Sequence, residues 1–258
     1  MADMTTGTGE PSRTLALLWR NRDAGAPIEQ RRRGPGRRAS VDEVVDAAIA
    51  LADADDLAAV TIRSVAGRVG VSTMSVYTYV PGKAELLDLM VDAVYLSMPR
   101  PAWRARTWRK RLERVAETNR ALFEAHPWLT EVAVLSRPPL GPGLMAKYEH
   151  ELAAFDGTGL DDVATDAALA YLLGFVQGHA RAARDAARAR SDTAMSDADW
   201  WAANQPVLER ALDPAAYPRA VRVGAAAGEA HGTPWSPEHA WRFGLARTLD
   251  GLAALVQR

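Results

Sequence analysis

From Ser40 onward apolar positions recur at helical spacing, and the polar breaks between them carry cap and turn residues. The stretch "SVDE" (Ser40 to Glu43) is a capping box, in which the Ser40 hydroxyl accepts from the Glu43 amide while the Glu43 side chain reaches back. Val41, Val44, Val45, Ala48 and Ala52 then predict a first helix of about four turns, ended by "DADD" at Asp53 to Asp56. Thr61 opens a second helix whose apolar face is Ile62, Val65, Ala66 and Val69. Gly70 follows, the residue type that most readily closes a helix in the left-handed conformation. Ser72 caps a third, short helix. Only Val76 and Val80 of that helix point inward; Thr73, Met74, Ser75, Tyr77 and Tyr79 occupy the rest of its surface. Pro81 and Gly82 stop it. Lys83 falls in the first turn of a fourth helix, which Leu86, Leu87, Met90, Val91 and Val94 carry onward, so the first three helices are joined to the remainder by a rigid rod.

Beyond Thr107 the pattern stays helical. Leu112, Val115, Ala116, Asn119, Leu122 and Phe123 form one stripe, broken by "HPWL" at His126 to Leu129, with Pro127 suited to a helix start. "RPPLGPG" reads as a loop and "LMAKYEHELAAF" as another helix. A long helix then begins on Asp161 and Asp162 and ends rich in Arg, as the helix dipole favours. It carries Gly174 and Gly178 four apart, beside Tyr171. The last helix starts at Ser236 and Pro237 and carries Leu245, Leu249, Leu252 and Leu255. Two such helices per chain, paired with two from a second copy, would make a four-helix dimer bundle; packing within one chain is the alternative reading.

Composition narrows the classes. The chain has 258 residues, nearly half of them apolar, and no cysteine, so disulfides and thiolate metal sites are excluded. No run approaches the roughly 18 apolar residues of a membrane span. The first residues hold too short an apolar patch for a secretory signal, and a cytoplasmic protein is expected. The net charge of −1 hides a local asymmetry, because Arg31 to Arg38 place five Arg in eight residues among Gly and Pro. A basic arm on a neutral body suits a phosphate partner, and a solvated tail is the plainer reading. Residues 1–39 are expected to lack regular structure apart from "LALLWR" (Leu15 to Arg20), a short helix docked on the body or on DNA.

A helix, a Gly-bearing turn and a short helix with a polar outer surface make a helix-turn-helix, whose second helix is shaped for a major groove. Small hydroxyls and apolar groups suit base edges and thymine methyls, whereas Tyr hydroxyls and Lys suit phosphates. The stretch from Thr61 to Met90 resembles the DNA-binding domain of the tetracycline-repressor (TetR) family over about residues 40–98. One departure is visible: Asp56 stands in the turn where the family usually has Gly, and Asp tolerates the left-handed region better than most residues.

The resemblance implies an all-α protein: a flexible basic arm at 1–39, a DNA-binding domain at 40–87, and a ligand-binding and dimerisation domain at 88–258. It implies operator contacts from Arg63, Ser72, Thr73, Met74, Ser75, Tyr77, Tyr79 and Lys83. Thr73, Met74 and Ser75 would read bases, and Tyr77 and Lys83 would anchor the backbone. For Tyr79 a half-buried wedge between helices is the alternative. A small-molecule effector would meet Phe123, His126, Trp128, Met145, Tyr148 and Phe175, together with Trp200 and Trp201. The dimer would form through Tyr171, Gly174, Gly178, Leu245, Leu249 and Leu252. No cofactor, metal or membrane partner is implied. The expected function is a one-component transcriptional regulator, a repressor released from a palindromic operator by an apolar or aromatic ligand. A sequence-tolerant architectural DNA binder and a helical enzyme are the alternatives. Against the enzyme, the chain has no His-Glu-x-x-His, no phosphate-binding Gly loop and no Cys nucleophile.

Overall fold

The computed structural model describes residues 5–21, 39–103, 107–233 and 235–256, and among them twelve helices and no strand occur. Helix α1 (Pro11–Leu18) precedes the first expected helix. The expectation of a structureless N-terminus fails for residues 5–14, whereas the short helix expected at Leu15 to Arg20 is present over Leu15 to Leu18 as the end of α1. Thr6 and Leu18 are buried, the Gly7 amide donates to Asp88 (2.8 Å), and the Trp19 indole donates to the Leu140 carbonyl (2.8 Å). The segment therefore docks on the body. The arginine run at 31–38 lies outside the described residues.

The next four helices follow the caps in the sequence. Helix α2 (Val41–Asp55) begins with the Ser40 capping box, and α3 (Ile62–Val69) with a reciprocal Thr61–Ser64 cap. Gly70 closes α3 at φ 80°, ψ 34°, the left-handed geometry that glycine adopts without steric cost. Helix α4 (Thr73–Tyr79) starts on the Ser72 cap, and α5 (Lys83–Ser97) starts at Gly82. Val44, Val60, Val65, Val76, Val80, Leu87 and Met90 are fully buried where these helices meet. Asp56, in the turn after α2, departs from expectation. Its backbone sits at φ 70°, ψ 170°, outside the left-handed helical well and in a region that is essentially reserved for glycine.

The remaining helices are α6 (Trp108–Ala125), the short α7 (Leu129–Val132), α8 (Pro142–Leu152), α9 (Asp162–Thr193), α10 (Asp197–Ala211), α11 (Pro218–His231) and α12 (Pro237–Val256). One apolar core runs from the N-terminal helices through α5 to Leu122, Trp128, Leu129 and Val132. A second joins α6, α9 and α12 through Leu112, Leu169, Leu172, Val176, Trp241 and Leu249, and Phe123 packs against both. Helices α10 and α11 bury no residue.

Helices α5 and α8 approach each other closely. A Cβ on Gly143 would lie 1.9 Å from the Asp92 carbonyl oxygen, so only glycine permits this approach. The Gly143 and Leu144 amides, at the start of α8, donate to the Asp92 carboxylate at 3.1 and 2.8 Å. None of the helices among the described residues is long and apolar enough to cross a membrane.

Candidate nucleic-acid interface

Val76 within α4 and Val80 at its C-cap set the orientation of everything else on the helix. Val76 and Val80 have no exposed surface, and with those anchors inward Met74 is 75 % exposed and Tyr77 46 %. Thr73 is also exposed. Ser72 and Ser75 spend part of their capacity locally: Ser72 Oγ accepts the Ser75 amide (3.1 Å) and lies 2.8 Å from Ser75 Oγ. Thr78 donates to the Ser75 carbonyl (2.6 Å). Tyr79 is half-buried and packs against the core, the wedge position. Arg63 and Arg68 are exposed on α3, and Lys83 stands half-exposed in the first turn of α5. Among the described residues these three cations have no carboxylate partner, while Arg20, Arg109, Arg120, Arg184 and Arg190 are all paired elsewhere. Cations left unpaired around an outward-facing helix are what a phosphate backbone requires.

The opposite side of the reading unit is tied to the body. Asp53 Oδ1 receives the Trp128 indole (2.7 Å) and lies 2.8 Å from His126 Nδ1. One guanidinium nitrogen of Arg184 donates to both Asp56 carboxylate oxygens at 2.7 Å, and Arg188 adds a contact at 3.1 Å. Arg184 also pairs with Glu131 (2.6 Å) and bonds Thr130 (3.0 Å). Two acidic residues at the end of α2 thus hold the α6–α7 turn and the long helix α9.

A cavity of about 330 Å³ lies between α5, α6, α8, α9 and the loop 133–140. Three of the six aromatic and Met positions expected around an effector, Phe123, Met145 and Tyr148, line it. The other three do not. Trp128 is wholly buried in the core with its indole on Asp53, and His126 is held by the same carboxylate. Phe175 stacks on Trp241 with ring centroids 5.4 Å apart, and its ring fills the space beside Gly244. Trp200 and Trp201 sit on α10, away from the cavity.

The sequence reading missed the polar end of the cavity. There Lys147 and Glu151 form a 2.6 Å ion pair with both side chains less than 8 % exposed, and Asn119 donates to Glu151. One signal was present: Asn119 interrupts an otherwise apolar helical stripe.

The expected dimer residues divide by exposure. Tyr171, Gly174 and Gly178 lie on the open face of α9, with nothing near either glycine. Leu245, Leu249 and Leu252 are buried instead against α6 and α9 of the same chain. The strongest apolar stripe of a helix packs into its own core first, which leaves Phe243, Arg247, Gly251 and Leu255 as the exposed face of α12.

Comparison with known proteins agrees with this architecture. Residues 44–90 match the family described as bacterial regulatory proteins, tetR family, and residues 100–256 match the tetracyclin repressor-like C-terminal domain. Over 253 residues the chain is 41 % identical to the HTH-type transcriptional repressor DrrR1 of Streptomyces coeruleorubidus, covering 98 % of this chain and 89 % of that protein. ActR of Streptomyces coelicolor, crystallised in complex with actinorhodin, superposes with a TM-score of 0.70 at 24 % identity over 86 % of this chain and 100 % of that one. A TetR transcriptional regulator from the same species gives 0.64 at 26 % identity over 84 % and 99 %. With a helix-turn-helix held outward by two valines and matches that together span both halves, the chain belongs to the tetR family of bacterial transcriptional regulators.

Proposed function

We propose that this regulator is a homodimeric repressor that leaves a near-palindromic operator when a small apolar ligand enters the cavity between α5, α6, α8 and α9. Residues 40–87 act as the reading unit and residues 88–258 as the ligand and dimer unit. Thr73 and Met74 read base edges, Ser72 and Ser75 set the start of the reading helix, and Arg63, Tyr77 and Lys83 hold phosphates. Tyr79 fixes the angle of α4 through its packed ring. The relative named as a repressor, at 41 % identity, supports the direction of control.

The observation that carries the ligand response is the seating of α8 on α5. Helix α8 supplies one wall of the cavity, and its first residues touch the Asp92 backbone with no side chain between. Helix α5 then runs without a break to Lys83, four residues past the end of α4. A ligand that displaces α8 therefore moves the rod that carries the reading helix. Two copies joined by the exposed faces of α9 and α12 read successive grooves about 34 Å apart, and a shift of a few ångström misaligns them. The coupling required is only about 1–3 kcal/mol.

A footprint of the purified protein on the promoter beside its own coding region tests the reading. A protected near-palindrome is expected, lost when an apolar aromatic ligand saturates the cavity. Protection that spreads evenly along the DNA would instead favour the architectural binder.

A further inference from the structure

The cavity's polar end restricts what enters it beyond the requirement of an apolar body. Its walls are supplied by groups such as Phe123, Leu135, Leu140, Leu144, Leu169 and Leu173. Two less buried polar groups on the lining each make one bond: the Gln177 amide donates to the Ala133 carbonyl (2.6 Å), and the Tyr148 hydroxyl to Asp166 (2.7 Å) on the exposed side of α9. The most deeply buried polar groups on its lining are Lys147, Glu151 and Asn119, all less than a tenth exposed. The Lys147 ammonium has three N–H groups. One goes to Glu151, and the charge lies 5.4 Å from the Tyr95 ring centroid; no second acceptor bonds it among the described residues. Glu151 accepts from Lys147 and Asn119, one bond on each oxygen, which leaves a lone pair on each. The Asn119 amide nitrogen is fully used, on Glu151 and the Val115 carbonyl.

This pair is electrically neutral as a unit and buried. An anion added beside it would be drawn to Lys147 but would meet Glu151 in a low-dielectric space, and a cation would meet the reverse. A neutral group with a hydrogen-bond donor next to an acceptor satisfies both partners: the acceptor takes a free Lys147 N–H, and the donor serves Glu151. Resting on the reading of this cavity as the effector site, we infer that the ligand is a ring-bearing apolar molecule whose inner end is neutral and carries a donor beside an acceptor, as in a carboxamide or a hydroxy-ketone.

Three naphthalenes of similar shape test this by isothermal titration calorimetry of the full-length protein: 2-naphthamide, 2-naphthoate and 2-isopropylnaphthalene. The wild-type protein is expected to bind the amide roughly tenfold more tightly than either of the others, the factor set by leaving one buried polar partner unmet. Glu151→Gln leaves the Lys147 charge without a counter-ion and should reverse the order of amide and carboxylate. Lys147→Met removes the partner of the ligand's acceptor and leaves Glu151 for its donor. It should narrow the preference of amide over hydrocarbon without removing it, which also places the probe at this end of the cavity. Circular dichroism checks that both variants fold, and the wild-type ranking stands without them. Tighter wild-type binding of 2-naphthoate, or equal binding of the hydrocarbon, would overturn the end-group assignment while leaving the cavity as effector site. Absence of binding by all three would overturn both.

Discussion

Asp56 opposes a strained backbone to a favourable side chain, and two substitutions separate them. The backbone at φ 70°, ψ 170° costs a non-glycine residue about 1–3 kcal/mol. Against that, Asp56 caps the Leu57 amide (2.7 Å) and pairs with Arg184 and Arg188. Its side chain is 35 % exposed and Arg184 keeps Glu131 when Asp56 is removed, so losing the pair should cost about 1–2 kcal/mol and not the larger penalty of a stranded buried charge. The lost cap adds about 1 kcal/mol. Asp56→Ala forfeits both contacts and keeps the strain, so it should lose about 2–3 kcal/mol.

Asp56→Gly forfeits the same contacts and releases the strain. The greater freedom of glycine in the unfolded chain returns only about 0.4–1 kcal/mol of that gain. The Gly variant should therefore be more stable than the Ala variant by about 1–2 kcal/mol, although at an unstrained position the sign is reversed. Urea unfolding followed by circular dichroism, at one fixed protomer concentration for all three proteins, measures the difference. An Ala variant as stable as the Gly variant, or more so, refutes the claim that this turn is strained.

Other outcomes follow from the same contacts. Gly143→Ala places a methyl 1.9 Å from the Asp92 carbonyl oxygen, so α8 must back away from α5; overpacking of this kind costs about 1–3 kcal/mol, read as a lowered melting temperature. Asp88 is buried, and desolvation raises its carboxyl above the ordinary range. The folded protein then holds that proton more tightly than the unfolded chain does, so Asp88 erodes stability as pH rises from acid toward its raised native pKa, and the loss persists above it. Asp88→Asn should remove that part of the pH dependence, visible as a flatter melting temperature from acid to neutral pH; an unchanged slope counts against it. Lys83→Ala should weaken operator binding evenly across sequences and reduce the salt slope by about one unit in a mobility-shift titration.

The parts legible in the sequence are those whose physics is local. Ser40, Thr61, Ser72, Thr107, Asp161 and Ser236 each stand one residue before a helix, and all six accept a hydrogen bond from the amide three residues on, at 2.7 to 3.4 Å. Val76 and Val80 oriented α4 because two small apolar residues four apart can share only one helix face. The misses came from partners distant in the chain. Lys147 and Glu151 have the spacing of an ordinary surface pair, and only the packing of α5 and α6 over them makes the pair buried. His126 and Trp128 read as pocket aromatics until Asp53, more than seventy residues earlier, claims both. Residues 5–14 looked structureless because their anchors, the Gly7 and Glu10 amides on α5 carboxylates, leave no trace in residue type, whereas Leu15 to Arg20 already read as a short helix.

Those carboxylates explain why a displacement at the cavity would reach the reading helix. Glu85, Asp88 and Asp92 lie along one face of α5, all buried, and each accepts main-chain amides from a different stretch: Glu10 at 3.4 Å, Gly7 at 2.8 Å, and the start of α8. Main-chain donors cannot turn to follow a retreating partner as a flexible side chain can. If α8 moved and α5 stayed, Asp92 would lose both amides, and at about 1.5–3 kcal/mol for each hydrogen bond to a charged group the two together cost roughly 3–6 kcal/mol. The ligand-coupled transition needs only about 1–3 kcal/mol, so moving the two helices together is the cheaper path. The same reasoning ties residues 5–21 to α5 through Glu85 and Asp88, and Trp19 ties them to Leu140 on the cavity wall. Helix α5 is thus held by α8, which lines the cavity, and by an N-terminal segment bonded to Leu140 on the cavity wall, and its N-terminal end leads to the reading helix.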